Sequence, residues 1–318
     1  MKKEEEILVS ICCITYNQEN YIEDTIKGFL MQKTNFKYEI IIHDDASTDN
    51  TAKIIKKYEK KYKDIIKPIY QKENQQSKGK RPTFITYQKA TGKYIALCEG
   101  DDYWTDENKL QRQFNYIEDN PNCSACIHSA MKVNYDKTEI KPVEPYKQNT
   151  VINMKEYCHK VDSIPTASLF FKKEIVEEEM PDFLKQAPVG DIPLALWFLD
   201  KGYIYYENKI MSCYRVNVPN SWSTTAFKDP KKVKEHDTKM ELMYDLYNKY
   251  TDYKHNDLIE MEKAKRVLNL CKNKKDIKKV KENYSLGYKK LPLALKIKKN
   301  IKVSFPKLLE FYRKIRNR

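Results

Sequence analysis

The chain opens with short apolar runs that alternate with stretches where apolar residues recur at helical spacing. Ile7 to Ile14 is an apolar run of strand length, the pattern of a strand buried on both faces. Asn20 to Gln32 then carries Ile22, Ile26, Phe29 and Leu30 at helical spacing. Tyr38 to Ile42 predicts a second strand, and Ser47-Thr48-Asp49-Asn50 offers capping chemistry for a helix from about Thr51 to Tyr62. Ile65 to Tyr70 reads as a third strand, Phe84 to Ala90 as a helix and Lys93 to Cys98 as a fourth strand. Repeated strand–helix units predict an α/β fold: a mostly parallel sheet with helices on both faces, whose ligands bind beyond the carboxyl ends of the strands. Thr15-Tyr16-Asn17, Asp44-Asp45 and Glu99-Gly100-Asp101-Asp102 follow three of these strands, so the fold brings them to one rim.

After a helix from Asn108 to Asp119 the rhythm changes. Cys123 to Tyr135 is strand-like, Asp136 to Thr150 polar and irregular, Ala167 to Phe171 a strand and Ile192 to Leu199 a helix. Tyr203 to Tyr206 and Ile210 to Tyr214 resemble two paired strands. From Pro230 onward the pattern is mainly helical, with stops near Pro292 and Pro306. The expected division is residues 1–227 as the catalytic α/β domain and 228–318 as a C-terminal helical extension.

Charge sharpens that division. The net +14 is uneven: residues 228–318 carry 27 Lys and Arg against 12 Asp and Glu, while the preceding part is close to neutral. A basic tail points to an anionic partner, namely a membrane surface, nucleic acid or a polyanionic acceptor, or else to a merely solvated helical face. Beyond Leu291, aliphatic residues are interleaved with lysines, as in helices that lie in the interface of an anionic membrane. The eight cysteines sit mostly in apolar runs and suit a reducing compartment. Cys123 and Cys126 have CxxC spacing, but no second pair follows, and in a regular strand their thiols would face opposite sides. The acidic N-terminus is not a secretory signal, and no apolar stretch reaches the roughly 18 residues of a membrane span. The expectation is a cytoplasmic protein, with peripheral contact at the inner face of the membrane open.

The rim clusters suggest chemistry. Glu99, Asp101 and Asp102 are carboxylates dense enough to repel one another unless a cation joins them, and hard oxygen ligands suit Mn2+ or Mg2+ bridging to substrate phosphates. Capping accounts for Ser47, Thr48 and Asp49, but leaves Asp44 and Asp45 without a partner; a ribose hydroxyl or a base N–H would supply one.

Val9-Ser10-Ile11 leading to Thr15-Tyr16-Asn17, then Asp44-Asp45-Ala46-Ser47-Thr48-Asp49-Asn50-Thr51, then Gly92-Lys93-Tyr94-Ile95-Ala96 running into Glu99-Gly100-Asp101-Asp102-Tyr103-Trp104, resemble the large inverting, family-two type of glycosyltransferase with the GT-A fold. The resemblance covers roughly residues 7 to 223. It implies a nucleotide-sugar donor, usually UDP-linked, and a divalent metal. By the same resemblance Tyr16 and Asn17 lie beside the nucleotide, Asp45 binds the uracil or ribose with Asp44 close by, Asp101 contacts ribose or sugar, and Asp102 holds the metal. Arg81 stands in a basic loop near the donor. Asp191, in Val189-Gly190-Asp191-Ile192-Pro193, matches the carboxylate base at a helix start, with Gly190 permitting a tight turn. Tyr214-Arg215-Val216-Asn217 and Ser221-Trp222-Ser223 resemble the segment that closes over the diphosphate, although many members carry His where Asn217 stands. Glu99, Trp104, Arg215 and Trp222 are further candidates for diphosphate or acceptor contacts.

The implied function is sugar transfer to a hydroxyl of a glycan, glycolipid or protein acceptor, as in cell-surface polysaccharide synthesis. Two rivals remain. A nucleotidyltransferase also places carboxylates at strand ends, but usually has a Gly-rich phosphate loop, and residues 7–20 contain no Gly. A nucleic-acid-binding protein acting through the basic tail is the weaker alternative. The pattern leaves an oligomer open.

Overall fold

A computed structural model of the chain describes residues 6–161, 164–218 and 229–305. The first half runs β1 (Ile7–Thr15), α1 (Ile22–Leu30), β2 (Lys37–Asp44), α2 (Thr51–Lys61), β3 (Ile66–Tyr70), α3 (Pro82–Lys89) and β4 (Tyr94–Leu97). It continues through β5 (Tyr103–Trp104), α4 (Lys109–Asp119), β6 (Cys123–Val133), β7 (Glu139–Val143), β8 (Thr150–Ile152), α5 (Met154–Lys160), β9 (Phe170–Lys172), α6 (Glu174–Glu177), α7 (Asp182–Lys185), α8 (Asp191–Lys201) and β10 (Tyr203–Arg215). One ten-stranded sheet has the order β3-β2-β1-β4-β9-β6-β10-β5, with β7 beside β6 and β8 beside β10. β3, β2, β1 and β4 are mutually parallel, as are β6 and β10, and these ladders hold most of the paired residues. The antiparallel β9 joins the two blocks. Helices cover both faces, as the alternating pattern predicts.

Val9, Ile11, Ile40, Ile42, Tyr94 and Ala96 are almost wholly buried, which is why their strands read as apolar runs. Polar members at the foot of this core are paired. The Glu39 carboxylate accepts from Ser10 Oγ at 2.7 Å and from the Thr91 N–H at 2.7 Å, and Ser10 Oγ accepts the Gly92 N–H at 2.9 Å. That knot ties together the starts of β1, β2 and β4.

Three expectations change. The segments 203–206 and 210–214 are one continuous strand, not a pair: the polar Glu207-Asn208-Lys209 stretch is absorbed by register shifts against β6. Part of the stretch expected to be irregular forms β7, which is largely exposed and held by pairing rather than by burial. Cys123 and Cys126 do not face opposite sides. Tyr203 pairs with Cys123 but Ile204 with Ala125, so a bulge at Ser124 brings the two sulfurs within 3.9 Å.

The chain groups into two compact units. One holds the residues up to Asn153 with Val161–Met180 and Val189–His236; the other holds Met154–Lys160, Pro181–Pro188 and the chain from Asp237 on. The second unit is helical, built from α5, α7 and the helices Pro230–Tyr250 (from Asp237), Asn256–Leu270, Lys274–Asn283, Ser285–Lys290 and Leu293–Ser304. Its aromatic centre stacks Phe183 against Tyr247 and Tyr250 at 5.1 and 5.2 Å. Arg266 pairs with Asp237 at 2.6 Å. Asn273 and Asp276 form a capping box at the start of Lys274–Asn283.

Candidate functional site

The parallel strands β1, β2 and β4 end on one side of the sheet, with Thr15 in register with Asp44 and Cys12 with Leu97. The loops that follow β1 and β2 are laced together. The Asn17 N–H donates to Ser47 Oγ at 2.9 Å, and its side-chain oxygen accepts the Thr48 N–H at 2.8 Å. The Glu19 N–H donates to Asp49 at 3.0 Å and the Gln18 N–H to Thr51 Oγ1 at 2.8 Å. Asn17 and Ala46 take positive φ, +51° and +64°, to make these turns. Asn17 is thereby a scaffold for its neighbour Tyr16, whose ring is 45% exposed and free to stack.

The carboxylates after β2 do have partners, contrary to the expectation from sequence. Asp45 accepts the backbone N–H groups of Gln75 at 2.7 Å and Gln76 at 3.1 Å, and Asp44 accepts the Ser47 hydroxyl. The partners of Asp45 lie in another loop, where no sequence spacing reveals them, while Ser47 is three residues from Asp44 in the same turn. Ser47 therefore serves Asp44 rather than the helix. At the start of α2 it is Asp49 that takes the Thr51 N–H, at 2.9 Å, and the cap residue Asn50 makes no side-chain capping bond. Burial pushes the Asp44 carboxyl up, with Ser47 opposing.

The turn after β4 is pressed against β1. The Gly100 N–H donates to the Ile14 carbonyl at 2.9 Å, and a Cβ at Gly100 would stand 2.7 Å from the Thr15 side chain, so this position accepts only glycine. Thr25 Oγ1 donates to the Asp102 carbonyl at 2.6 Å. Asp102 is wholly buried. Its Oδ1 accepts the Arg215 N–H at 2.8 Å, while its Oδ2 is buried with no partner. Burial, then Asp101 and Glu99, push its pKa well up. Glu99 is raised to about 8 by burial, then by Asp101 and Asp191, and burial raises Asp101 as well. Asp191 opens α8 and is also raised by burial, with the Ile192 N–H opposing. Glu99 feels Asp101 and Asp191, and Asp102 feels Asp101 and Glu99, so the four carboxyls share one neighbourhood. Gly190 has an ordinary φ of −101° and open space around it, so the turn before Asp191 does not require glycine. Arg81 reaches the same loop, 3.5 Å from the Val189 carbonyl, and burial lowers its pKa.

Two candidate contact residues lie elsewhere than expected. Trp104 is in the core: its ring packs on Phe29 at 4.8 Å, its N–H donates to the Ala167 carbonyl at 2.9 Å, and Lys109 lies 4.0 Å over its face. Lys109 itself is fully buried on Gln113 and its pKa falls to about 7. Arg215 is buried and committed: it pairs with Asp24, donates to the Asp101 carbonyl at 2.6 Å and lies over Tyr103 and Tyr21. It shapes the carboxylate turn rather than reaching outward. Trp222 lies outside the described residues.

Sequence reasoning passed over Tyr214. Its phenol is pushed up by burial and then by Asp102, Glu99, Asp101 and Asp191 together, so it shares their neighbourhood. The signal was its place beside Arg215, whose charge drew the attention. At the opposite ends of β1 and β4 a cleft of about 340 Å³ includes Lys93 and Lys173, but these are paired with Glu118 and Glu177.

Residues 10–178, more than half of the chain, match the family model described as glycosyl transferase family 2. The chain belongs to glycosyl transferase family 2. It is 32% identical over 230 residues to the uncharacterized protein Rv1520 of Mycobacterium tuberculosis, covering 70% of this chain and 63% of that relative's length. It is 28% identical over 229 residues to the putative teichuronic acid biosynthesis glycosyltransferase TuaG of Bacillus subtilis, covering 71% and 85% of the two chains. Among solved structures, S. aureus TarS 1–349 in complex with UDP-GlcNAc superposes with a TM-score of 0.65 at 17% identity, covering 83% of this chain and 73% of that one. The shared fold is GT-A. In this family 2 chain the rim of β1, β2 and β4 is therefore the end of the GT-A sheet where ligands are expected.

Proposed function

We propose that the chain transfers a sugar from a UDP-linked donor to a hydroxyl of a glycan, glycolipid or protein acceptor, with inversion, in cell-surface polysaccharide synthesis. The observation that carries this reading is Asp102 Oδ2, a buried carboxylate oxygen with no partner at the carboxyl end of a parallel strand. Family membership and the likeness to TuaG support sugar transfer, and the TarS complex with UDP-GlcNAc supports a UDP-linked donor.

Among the described residues no group of three ligands stands ready to hold a cation. One free carboxylate oxygen fits a different arrangement, in which Asp102 would hold Mn2+ or Mg2+ once a diphosphate is bound. Such an ion supplies charge neutralisation to the departing diphosphate. In this reading the protein's own residues supply the rest. The exposed ring of Tyr16 stacks on the base. Asp45, with the Gln75–Gln76 backbone it organises, receives the uracil or ribose, and Asp44 braces the same loop. Asp101 meets ribose or sugar, and Arg81 steadies the Asp191 loop near the donor. Asp191 takes the acceptor proton as the acceptor oxygen attacks the anomeric carbon and the bond to UDP breaks. Burial raises its pKa, making it a stronger base than an exposed aspartate. Glu99, raised to about 8, is mostly protonated near neutral pH, and the Tyr214 phenol shares the neighbourhood of the cluster.

Residues 1–227 are the catalytic part in this reading, and 228–318 a basic docking region. No helix among the described residues is long and apolar enough to cross a membrane. We place the chain in the cytoplasm, docked peripherally on an anionic membrane face near a lipid-linked acceptor. The decisive assay incubates the full chain with a panel of nucleotide sugars and measures nucleotide diphosphate release with and without Mn2+. Release from a UDP-sugar that depends on Mn2+ is expected; release from none of the panel would sink the reading.

A further inference from the structure

The helix Leu293–Ser304 turns an aliphatic stripe outward and a lysine inward. Lys299 is its buried residue, 6% exposed, with its ammonium donating to the Asn269 carbonyl at 2.7 Å and its pKa lowered by burial. Leu293, Ile297 and Ile301 face outward, 69%, 49% and 43% exposed, and Phe305 just beyond the helix is 58% exposed. Their spacing of four places them in one stripe. Burying an ammonium costs solvation, and exposing three aliphatic side chains forfeits burial. Leu295 and Val303 are half-buried on the inner side, so the helix is aliphatic on two sides and its outward stripe is left over from packing within the chain. The charge along this stretch of the sequence is of one sign, although Lys290 pairs with Asp257. From Ser285 to Phe305 there are six lysines, Lys289, Lys290, Lys296, Lys298, Lys299 and Lys302, and no acidic residue. Lys298 and Lys302 are exposed beside the stripe.

We infer that this face docks on an anionic lipid membrane, with Leu293, Ile297, Ile301 and Phe305 entering the boundary between headgroups and acyl chains and Lys298 and Lys302 meeting the lipid phosphates. Charge complementarity selects this occupant. A second copy docking through the same face would set lysine against lysine. A nucleic acid would answer the lysines and leave the aliphatic stripe in water. A surface that is anionic outside and apolar beneath answers both. The inference deepens the proposed membrane docking of the basic region and is independent of the transfer chemistry.

The test is co-sedimentation of the full chain with vesicles of phosphatidylglycerol and phosphatidylcholine, against vesicles of phosphatidylcholine alone. Binding to the anionic vesicles is expected, weakening as salt is added. Ile297→Ser/Ile301→Ser should lower partitioning by about tenfold or more with an unchanged melting temperature and unchanged UDP affinity. Lys298→Glu/Lys302→Glu should also weaken binding and flatten the salt dependence. If the full chain sediments and the isoleucine variant sediments equally, the stripe does not insert; this inference then falls while the broader docking proposal stands. No sedimentation with either vesicle, or binding to a DNA duplex instead, overturns both.

Discussion

The carboxylate rim and the helix Leu293–Ser304 treat charge in opposite ways, and both break the rule that apolar groups go inside and charges outside. At the rim, carboxyl groups are crowded and buried with one oxygen left unpaired, so burial and neighbouring carboxylates push them towards their protonated forms. In the helix a single cation is buried and given a carbonyl partner, while the aliphatic residues are turned outward. The first departure concerns electrostatics inside the fold and implies a small cationic or hydrogen-bonding ligand. The second concerns surface and implies a broad, soft partner. Departures from folding rules are where function is to be sought.

The comparison breaks most readily at Asp191. Asp191→Asn should keep UDP affinity and lower transfer by about 10²–10⁴-fold. In the wild type the acidic limb of the transfer rate should lie above the ordinary aspartate range, because burial raises this carboxyl and the base works only when deprotonated. A loss under tenfold would make Asp191 a helix-start residue only. Asp45→Ala leaves the Gln75 and Gln76 N–H groups without their acceptor. UDP affinity should fall by about 10–100-fold with little change in turnover at saturation, as calorimetry and steady-state rates would report. An unchanged dissociation constant would remove Asp45 from the nucleotide site.

Tyr214→Phe sharpens the rim further. Loss of one neutral donor among four carboxylates should slow transfer roughly 2–10-fold at constant fold, and an unchanged rate would mark the phenol as packing. The smallest effect is on stability. Glu99 has its folded pKa raised from 4.5 to about 8, so the folded state favours its protonated form; that contribution is complete below the ordinary value and is lost as pH climbs towards about 8. The ligand-free protein should melt lower as pH rises through this window. Glu99→Gln should reduce that fall by about 2–4 °C in scanning calorimetry. A steeper fall in the variant would reverse the sign assigned to this carboxyl.

How much of this was legible in the sequence depends on the kind of information. Apolar runs such as Ile7 to Ile14 report burial, and the strand ends they fix carry Asp44, Asp45, Asp101 and Asp102 to one rim. Partners across space leave no periodic trace. Nothing in the order of residues says that Gln75 and Gln76 satisfy Asp45, or that Trp104 turns inward onto Lys109. Alternation fails where the backbone bulges, as at Ser124, and where a polar stretch is carried through a continuous strand, as at Glu207-Asn208-Lys209. In the tail the mixture of lysine and aliphatic residues was readable, but not that Lys299 would be the inward member.

The central claim is that the rim binds a UDP-linked donor through Asp102 and a divalent cation. Calorimetric titration of UDP into the full chain and into Asp102→Asn, each with and without Mn2+, tests it most directly. The account predicts that Mn2+ strengthens UDP binding to the native chain and that the variant, still folded, loses this dependence. UDP binding that ignores Mn2+ in both proteins, or an equal Mn2+ response in both, would contradict it.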